Sequence, residues 1–418
     1  MATPGPDHPK VAQGNIIDRG LPGKCSHAKI SQSKRQRIIA LFIMCAVVAS
    51  AVQLLLLQHY SPSDDSTVPA RITALHAPIA ILDNLGFIFA SGVRSGDGTA
   101  GNPYIISDWE INATDNVGIF ISGTDRYFII RNVTINSTAQ DYDGIWLESV
   151  SNAWIHNVTI TNCHTGIWIT SGCSQVKVDA SFISTNQDFG VQTQFSVNSY
   201  INITGNRIQA NYATGIALDG TQHFSIVSNN VSTDETSSSN RRALTLVSCS
   251  YGLVTGNNLT ANFGEAVWSN TCQGVIVASN RISSQWSHGL YLTVSTGFLV
   301  YQNNFMGVPV QTGSYLSQAF DDRGSENAWN ASYPTGGNYW VDYTGEDKMS
   351  GPNQNQPGPG DGIVDLPFQI DVNTWDRYPL TLTQPVEPIP EFPTLLLPIV
   401  SVLALLFAVV RRSPRKEF

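Results

Sequence analysis

Eight segments of this chain open on a small residue and then alternate apolar with variable positions. They begin at Gly118, Gly144, Gly166, Gly190, Gly215, Ala243, Ala266 and Gly289, so their spacing runs from 22 to 28 residues. A short period of strand-like segments is the signature of a solenoid. The first apolar site of each segment holds Ile119, Ile145, Ile167, Val191, Ile216, Leu244, Val267 and Leu290. Two residues on stand Ile121, Leu147, Ile169, Thr193, Leu218, Leu246, Ser269 and Leu292. Period-two alternation rich in β-branched residues reads as a strand with one buried face. A second strand follows, as at Trp154–Ile155 or Leu253–Val254, and Ile160, Ile208, Val231, Leu259, Ile282 and Phe305 close the coil. No stretch between residues 79 and 320 carries a helical period. One such coil cannot bury a core alone, but parallel coils stacked about 4.8 Å apart line one continuous interior.

Two further columns fit this register. Asn206, Asn229, Asn257, Asn280 and Asn303 recur at one turn position, where stacked amides can bond one to the next. Cys249 and Cys272 occupy the same place in consecutive coils. Stacking would bring them within reach of a disulfide, or leave them as a pair of free thiols.

The flanks are more particular than the repeats. SGVRSGDGTAGNPYIISDWEI (Ser91 to Ile111) precedes them, and GGNYWVDYTGED (Gly336 to Asp347), DGIVDLPFQID (Asp361 to Asp371) and WDRYPL (Trp375 to Leu380) follow. With these flanks the chain resembles the right-handed parallel β-helix proteins of the pectate-lyase-like superfamily, and more closely the NosD-type parallel β-helix repeat surface proteins common in archaea. The resemblance spans residues 79 to 384. It implies an all-β, right-handed parallel β-helix. It leaves the activity open, because this superfamily hosts lyases, hydrolases, adhesins and scaffolds.

Residues 38–57 form a 20-residue apolar run without a charge, the length of one membrane span. Lys29, Lys34, Arg35 and Arg37 precede it and no basic residue follows until Arg71, which places the N-terminus inside and the repeats outside. The expectation is an uncleaved signal anchor; a cleaved signal peptide is the alternative. A second apolar run at 394–410 precedes Arg411, Arg412, Arg415 and Lys416, and Pro390-Glu391-Phe392-Pro393 stands just before it. This order resembles the PEF-type sorting signal of archaea and implies processing by an archaeosortase-type enzyme; an ordinary second transmembrane helix is the alternative. The expected organisation is therefore a cytoplasmic leader (1–37), a transmembrane signal anchor (38–57), a linker (58–78), the β-helix (79–320) and a capping region (321–384). A PEF linker (385–393), a transmembrane or sorting helix (394–410) and a basic tail (411–418) complete it. The whole would be tethered to the outer face of a cell membrane.

Charged residues make up 13% of the chain and the net charge is −9, which argues against a nucleic-acid partner. Asn112, Asn132, Asn136, Asn157, Asn202, Asn230, Asn258 and Asn330 head Asn-X-Ser/Thr sequons, candidate glycosylation sites outside the cell. Cys163, Cys173, Cys249 and Cys272 are too few for a disulfide scaffold.

Between the buried positions of each first strand, the outward column reads Phe120, Trp146, Trp168, Gln192, Ala217, Thr245, Trp268 and Tyr291. Large aromatics facing water suggest a binding surface. The next outward column holds Ser122, Glu148, Thr170, Gln194, Asp219, Val247, Asn270 and Thr293, and supplies hydrogen-bonding groups beside the rings. Phe120, Trp146, Trp168, Gln194, Asp219, Trp268, Asn270 and Tyr291 are the candidate carbohydrate-binding residues. The competing reading is that the rings pack side by side along the sheet.

Catalysis demands more. Paired carboxyls must sit about 5 to 9.5 Å apart to cleave a glycosidic bond, and Glu148 and Asp219, three coils apart, would be about 14 Å apart. Asp143 and Glu148 share one coil and make a better pair, unless Asp143 caps a turn. Arg242, Glu265 and His288 precede three successive coil starts and could act as base and charge stabiliser, or form a surface ion-pair ladder. Lyases of the superfamily hold calcium on clustered acids, and no column offers three adjacent Asp or Glu. Asp347, Asp361, Asp365 and Asp371 in the tail admit calcium as the one cofactor, or serve as turn-formers in a capping loop. No other cofactor or metal is expected. The copper role attached to the NosD name lacks clustered His, Met or Cys ligands. The leading expectation is an extracellular β-helix that binds polysaccharide or surface glycans in adhesion or the envelope. The alternatives are a polysaccharide lyase or glycosidase, a structural scaffold, and a metal-handling accessory.

Overall fold

The computed structural model describes residues 74–233, 241–312 and 315–385. The leader, both expected spans and the PEF motif lie outside the described residues. Among the described residues no helix is long and apolar enough to cross a membrane.

The described chain winds into coils whose strands stack into three long sheets. Sheet 1 has 11 parallel strands and runs from Ala74–His76 to Tyr339–Trp340. Sheet 2 carries the alternating strands read from the repeat, beginning at Ile79–Ile81 and ending at Ala319–Asp321. Sheet 3 carries the second strand of each coil, such as Ser174–Asp179 and Ser199–Thr204. One strand, Ile145–His156, runs unbroken through the corner between sheets 2 and 3. Rungs thus extend beyond the eight repeats at both ends.

The two inward columns of sheet 2 are buried, as is the closing column of sheet 1. Their register matches the sequence stacking; Ile160, Ile183 and Ile208 pair in succession. The two polar interlopers are accommodated by partners. The Thr193 hydroxyl lies 2.7 Å from that of Thr221, and the Ser269 hydroxyl lies 3.1 Å from that of Ser295, so neither is left unpaired in the core.

The small residue at each coil start has a steric cause. A Cβ on Gly190 would lie 2.5 Å from Ile208 Cγ2 and 2.6 Å from the Gly215 carbonyl oxygen. The backbone there lies against the closing column of sheet 1, so glycine fits at Gly190 and nothing larger than alanine, as at Ala243 and Ala266, stands at any start.

The asparagine column forms as a ladder. In each step the later residue's Oδ1 accepts both the backbone and the side-chain N–H of the earlier one, as from Asn229 to Asn257 at 2.8 and 3.0 Å. The ladder continues past Asn303 to Asn338, and Asn338 donates its backbone N–H to Asp376. Ser181 opens the ladder by donating its N–H to Asn206.

Cys249 and Cys272 stack at a second such turn position, but as free thiols, and the disulfide alternative is corrected. The Cys272 sulfur accepts the Cys249 backbone N–H at 3.2 Å, and the Cys249 thiol is aimed at the carbonyls of Leu218 and Val247. The Cys272 sulfur fills for the Cys249 N–H the role that Asn198 plays for the Cys173 N–H.

At the C-terminal end of the core, Phe305 and Trp340 of the last two rungs of sheet 1 stack with Phe368, ring centroids 4.2 and 4.3 Å apart. Trp329 packs beside them. This aromatic plug covers the open end of the core, which would otherwise expose apolar surface and strand edges. The tail acids serve turns. Asp347 accepts the N–H groups of Asp361 and Gly362, Asp365 those of Lys348 and Met349, and Asp361 those of Gly351 and Ile363. Asp371 accepts N–H groups of Asp321 and Asn373.

Candidate functional site

The outward column of sheet 2 has the expected register. Phe120 pairs with Trp146, Trp146 with Trp168, Trp168 with Gln192 and Gln192 with Ala217. Ala217 pairs with Thr245, Thr245 with Trp268 and Trp268 with Tyr291. One more rung, Phe320 opposite Tyr291, extends it.

The rings do not lie flat on the sheet. Trp146 and Trp168 stack at 4.8 Å, Phe120 tilts against Trp146 at 4.6 Å, and Tyr291 stacks on Phe320 at 4.4 Å. Faces inside each cluster are therefore covered by neighbouring rings, and the side-by-side packing holds within the clusters. The column is two half-buried aromatic clusters separated by the smaller side chains of Gln192, Ala217 and Thr245. Trp168 to Trp268 spans four rungs, about 19 Å at strand spacing. Two polar atoms in this stretch, Trp168 Nε1 and Thr245 Oγ1, are buried without a hydrogen-bond partner among the described residues. Unpaired buried groups are uncommon in folded proteins.

The neighbouring column carries polar groups beside the gap. Gln194 and Asn270 are partly exposed and Asp219 is exposed. Thr170 is drawn inward, where it accepts the Trp146 indole N–H at 3.1 Å. The Glu148 rung pairs with Thr170 and the Thr170 rung with Gln194, which leaves Glu148 and Asp219 on well-separated coils.

The acid–base candidates are otherwise engaged. Asp143 is buried and caps a turn. Its Oδ1 accepts the Thr165 N–H at 3.0 Å and meets His164 Nδ1 at 3.3 Å. Burial raises its carboxyl above the ordinary aspartate value, although those bonds oppose the shift. Arg242, Glu265 and His288 do form a row. Arg242 Nε donates to Glu265 Oε2 at 2.6 Å, Ser287 donates to Glu265 Oε1, and the Arg242 guanidinium lies 4.3 Å from the Trp268 ring centre. Burial alone would raise Glu265, but the hydrogen bond and charge of Arg242 outweigh it and hold the carboxyl low. Burial lowers His288, whose ring lies 5.2 Å from Tyr291. The row is an ion-pair ladder that covers one face of an aromatic cluster.

Several features gave no signal in the sequence. Tyr200, His223 and Tyr251 stack at 5.1 and 5.4 Å on the corner between sheets 2 and 3, all with left-handed backbone. On sheet 3, Asp179 gathers Trp154 Nε1, His156 Nδ1 and the Lys177 ammonium. The sequon asparagines divide by exposure. Asn112, Asn136, Asn157 and Asn202 are exposed, while Asn132, Asn230, Asn258 and Asn330 are partly covered. Asn157 donates to Asn132, and Asn258 to Asn230, so these four are tied in adjacent-coil pairs.

Comparison with known proteins agrees with the coil geometry. Residues 91–240 match the family model described as right handed beta helix region, and residues 172–345 match that described as periplasmic copper-binding protein (NosD). No curated protein matches the chain. Among solved structures, the chain is similar to tailspike protein 2 of Escherichia coli O157:H7 bacteriophage CAB120, with 11% identity and a TM-score of 0.43. That match covers 68% of this chain and 40% of the tailspike. It is also similar to DFA-IIIase from Arthrobacter chlorophenolicus A6, with 12% identity, a TM-score of 0.36 and coverage of 58% and 65%. The GH136 lacto-N-biosidase from Eubacterium ramulus gives 10% identity, a TM-score of 0.36 and coverage of 57% and 54%. The chain spans less than two thirds of each of these relatives.

The residues present do not fit the copper of the NosD description. Within the matched range His223 is stacked between two tyrosines, His288 packs on Tyr291, and the Cys249 and Cys272 sulfurs are turned inward. Among the described residues no three His, Cys, Asp or Glu side chains gather as a metal site, whereas copper requires such soft ligands together. What the coil geometry and both family matches share is the winding itself, an all-β parallel β-helix.

Proposed function

We propose that this β-helix is a carbohydrate-binding surface protein, tethered outside a membrane, and that a glycan lies along sheet 2 between the two aromatic clusters. The observation that carries the reading is the gap itself. Trp168 and Trp268 bound three rungs of smaller side chains, and Trp168 Nε1 and Thr245 Oγ1 stand there without partners among the described residues. A gap of about 19 Å suits several linked sugar rings. Trp168, edge-on to Phe195, and Trp268, beneath Arg242, border the gap with their exposed ring edges, and Gln194, Asp219 and Asn270 offer hydroxyl partners, the usual mix of a ligand site. Cleavage is a weaker reading, because Asp143 and Glu265 are held by turn and ion-pair partners. The scaffold reading draws on the ring-on-ring packing within each cluster.

Glycan-array binding of the full chain, in a detergent without a sugar head group, tests the proposal. The expected result is a bound glycan class that Trp168→Ala weakens about tenfold, near the value of one lost ring contact with its hydrogen bond, and that Ala217→Trp blocks by filling the gap. Thermal melting of both variants separates loss of the site from loss of the fold. Absence of binding by the unaltered chain, or equal binding by folded variants, would leave the scaffold reading standing.

A further inference from the structure

A second polar site lies on a different face. Where sheet 1 turns toward sheet 2, four successive coils border a groove of 390 Å³. Its floor is built in register, with Ser232 paired to Thr260 and Thr260 to Ser283. These residues occupy one outward column, so a side-chain oxygen recurs at each strand step, about every 4.8 Å. Asn262 and Gln285 border one side, and Met306 lies among the lining residues as an apolar wall. None of the lining residues carries a charge.

The hydroxyls differ in their commitments. Ser284 donates to the Gly264 carbonyl at 2.8 Å, and Thr233 accepts the Asn262 backbone N–H. The Ser232 and Thr260 side chains are half-exposed on the floor. Trp286 follows the lining residue Gln285, and its backbone N–H bonds to the carbonyl of the lining residue Asn262 at 3.1 Å. It is 65% exposed, an uncommon setting for the largest apolar side chain.

We propose that this groove is a separate binding site for a neutral sugar, holding one or two rings of an uncharged saccharide. A row of alcohol and amide groups, each able to donate and accept, matches the hydroxyl edge of a sugar. Met306 offers surface to the C–H face, and the exposed indole of Trp286 stands one residue beyond the lining Gln285. The volume falls within the range of small-ligand sites. The lack of any cationic lining residue disfavours phosphate, uronate or nucleotide, each of which needs charge compensation when desolvated. The site does not depend on the sheet 2 proposal, since the two share no residue.

Isothermal titration on the full chain, in a detergent without a sugar head group, tests it. The probes are cellobiose, lactose, mannobiose and chitobiose, with inorganic phosphate as the charged comparison. At least one disaccharide is expected to bind and phosphate is not. Thr260→Trp, an outward-facing substitution that fills the floor, should abolish binding, and Trp286→Ala should weaken it about tenfold, one ring contact's worth. Trp168→Ala should leave it unchanged, which separates this site from the one on sheet 2. The proposal is overturned if no disaccharide binds, if phosphate binds instead, or if binding survives Thr260→Trp in protein that melts normally.

Discussion

Asp376 ends the asparagine ladder: its Oδ2 accepts the Asn338 backbone N–H at 2.7 Å, the service that Asn338 Oδ1 performs for the Asn303 N–H at 3.1 Å. The same oxygen accepts the Trp340 indole N–H at 3.0 Å, and Oδ1 accepts the Tyr378 N–H at 3.1 Å. One buried carboxyl therefore joins the ladder, the aromatic plug and the final turn.

This junction makes the cap sensitive to pH. Burial pushes the Asp376 carboxyl from its ordinary 3.8 up to about 7, against the opposing pull of its donors. A folded value above the unfolded one means that the proton binds the folded state more tightly. The stabilisation is complete below about pH 3.8 and is lost as pH rises through about 7. The melting temperature should fall across this window, and Asp376→Asn should flatten the profile. Scanning calorimetry from pH 4 to 7 checks it; an unaltered slope in the variant would assign the titration elsewhere.

Within the ladder, Asn257→Ala removes the acceptor of the Asn229 N–H and the donor to the Ile226 carbonyl. Two buried backbone groups are stranded. The expected loss is about 2 to 6 kcal/mol, the sum of two unsatisfied polar groups, read as a lower urea midpoint. A loss under about 1 kcal/mol would mean that water replaces the amide.

The coil starts offer a paired test of close approach. A Cβ on Gly215 would meet Val231 Cγ1 at 2.2 Å and the Ala243 carbonyl oxygen at 2.9 Å, whereas one on Gly289 finds its nearest atoms at 3.1 to 3.2 Å. Gly215→Ala should cost about 1 to 3 kcal/mol by overpacking, and Gly289→Ala less than about 1 kcal/mol. Equal melting temperatures for the two variants would contradict the steric account.

The four described cysteines are fully buried thiols. They should resist alkylation in the native chain and all react after unfolding without reductant. Peptide mass spectrometry of Cys249 and Cys272 reads this directly, and a disulfide-linked pair of peptides would refute the thiol assignment.

The stacking register was legible because the inward sites repeat a strict alternation, and each column could be read by aligning the coils. The column's true end was not. Asn338 follows Asn303 by 35 residues instead of the 23 that separate Asn280 and Asn303, so it falls out of any repeat alignment. Outward identity was legible, but ring orientation was not. Register places Trp146 beside Trp168, while side-chain torsions decide that they stack on each other. The Tyr200–His223–Tyr251 stack and Trp286 sit on corners, where spacing varies and no periodic signal survives. Asp143 was open to two readings because its role rests on the backbone of the next coil, at Thr165.

The ladder also has a direction. Every asparagine hands its N–H forward to the following coil, and only the last hand-off meets a carboxylate instead of an amide. A coil duplicated or deleted between Asn229 and Asn303 would restore the same hand-off on both sides of the splice. One gained or lost at Asn338 would strand Asp376 and uncover Trp340. Descendants of such a chain can therefore change length by whole coils in the middle, as a ruler gains divisions, while the terminus stays fixed as its stop.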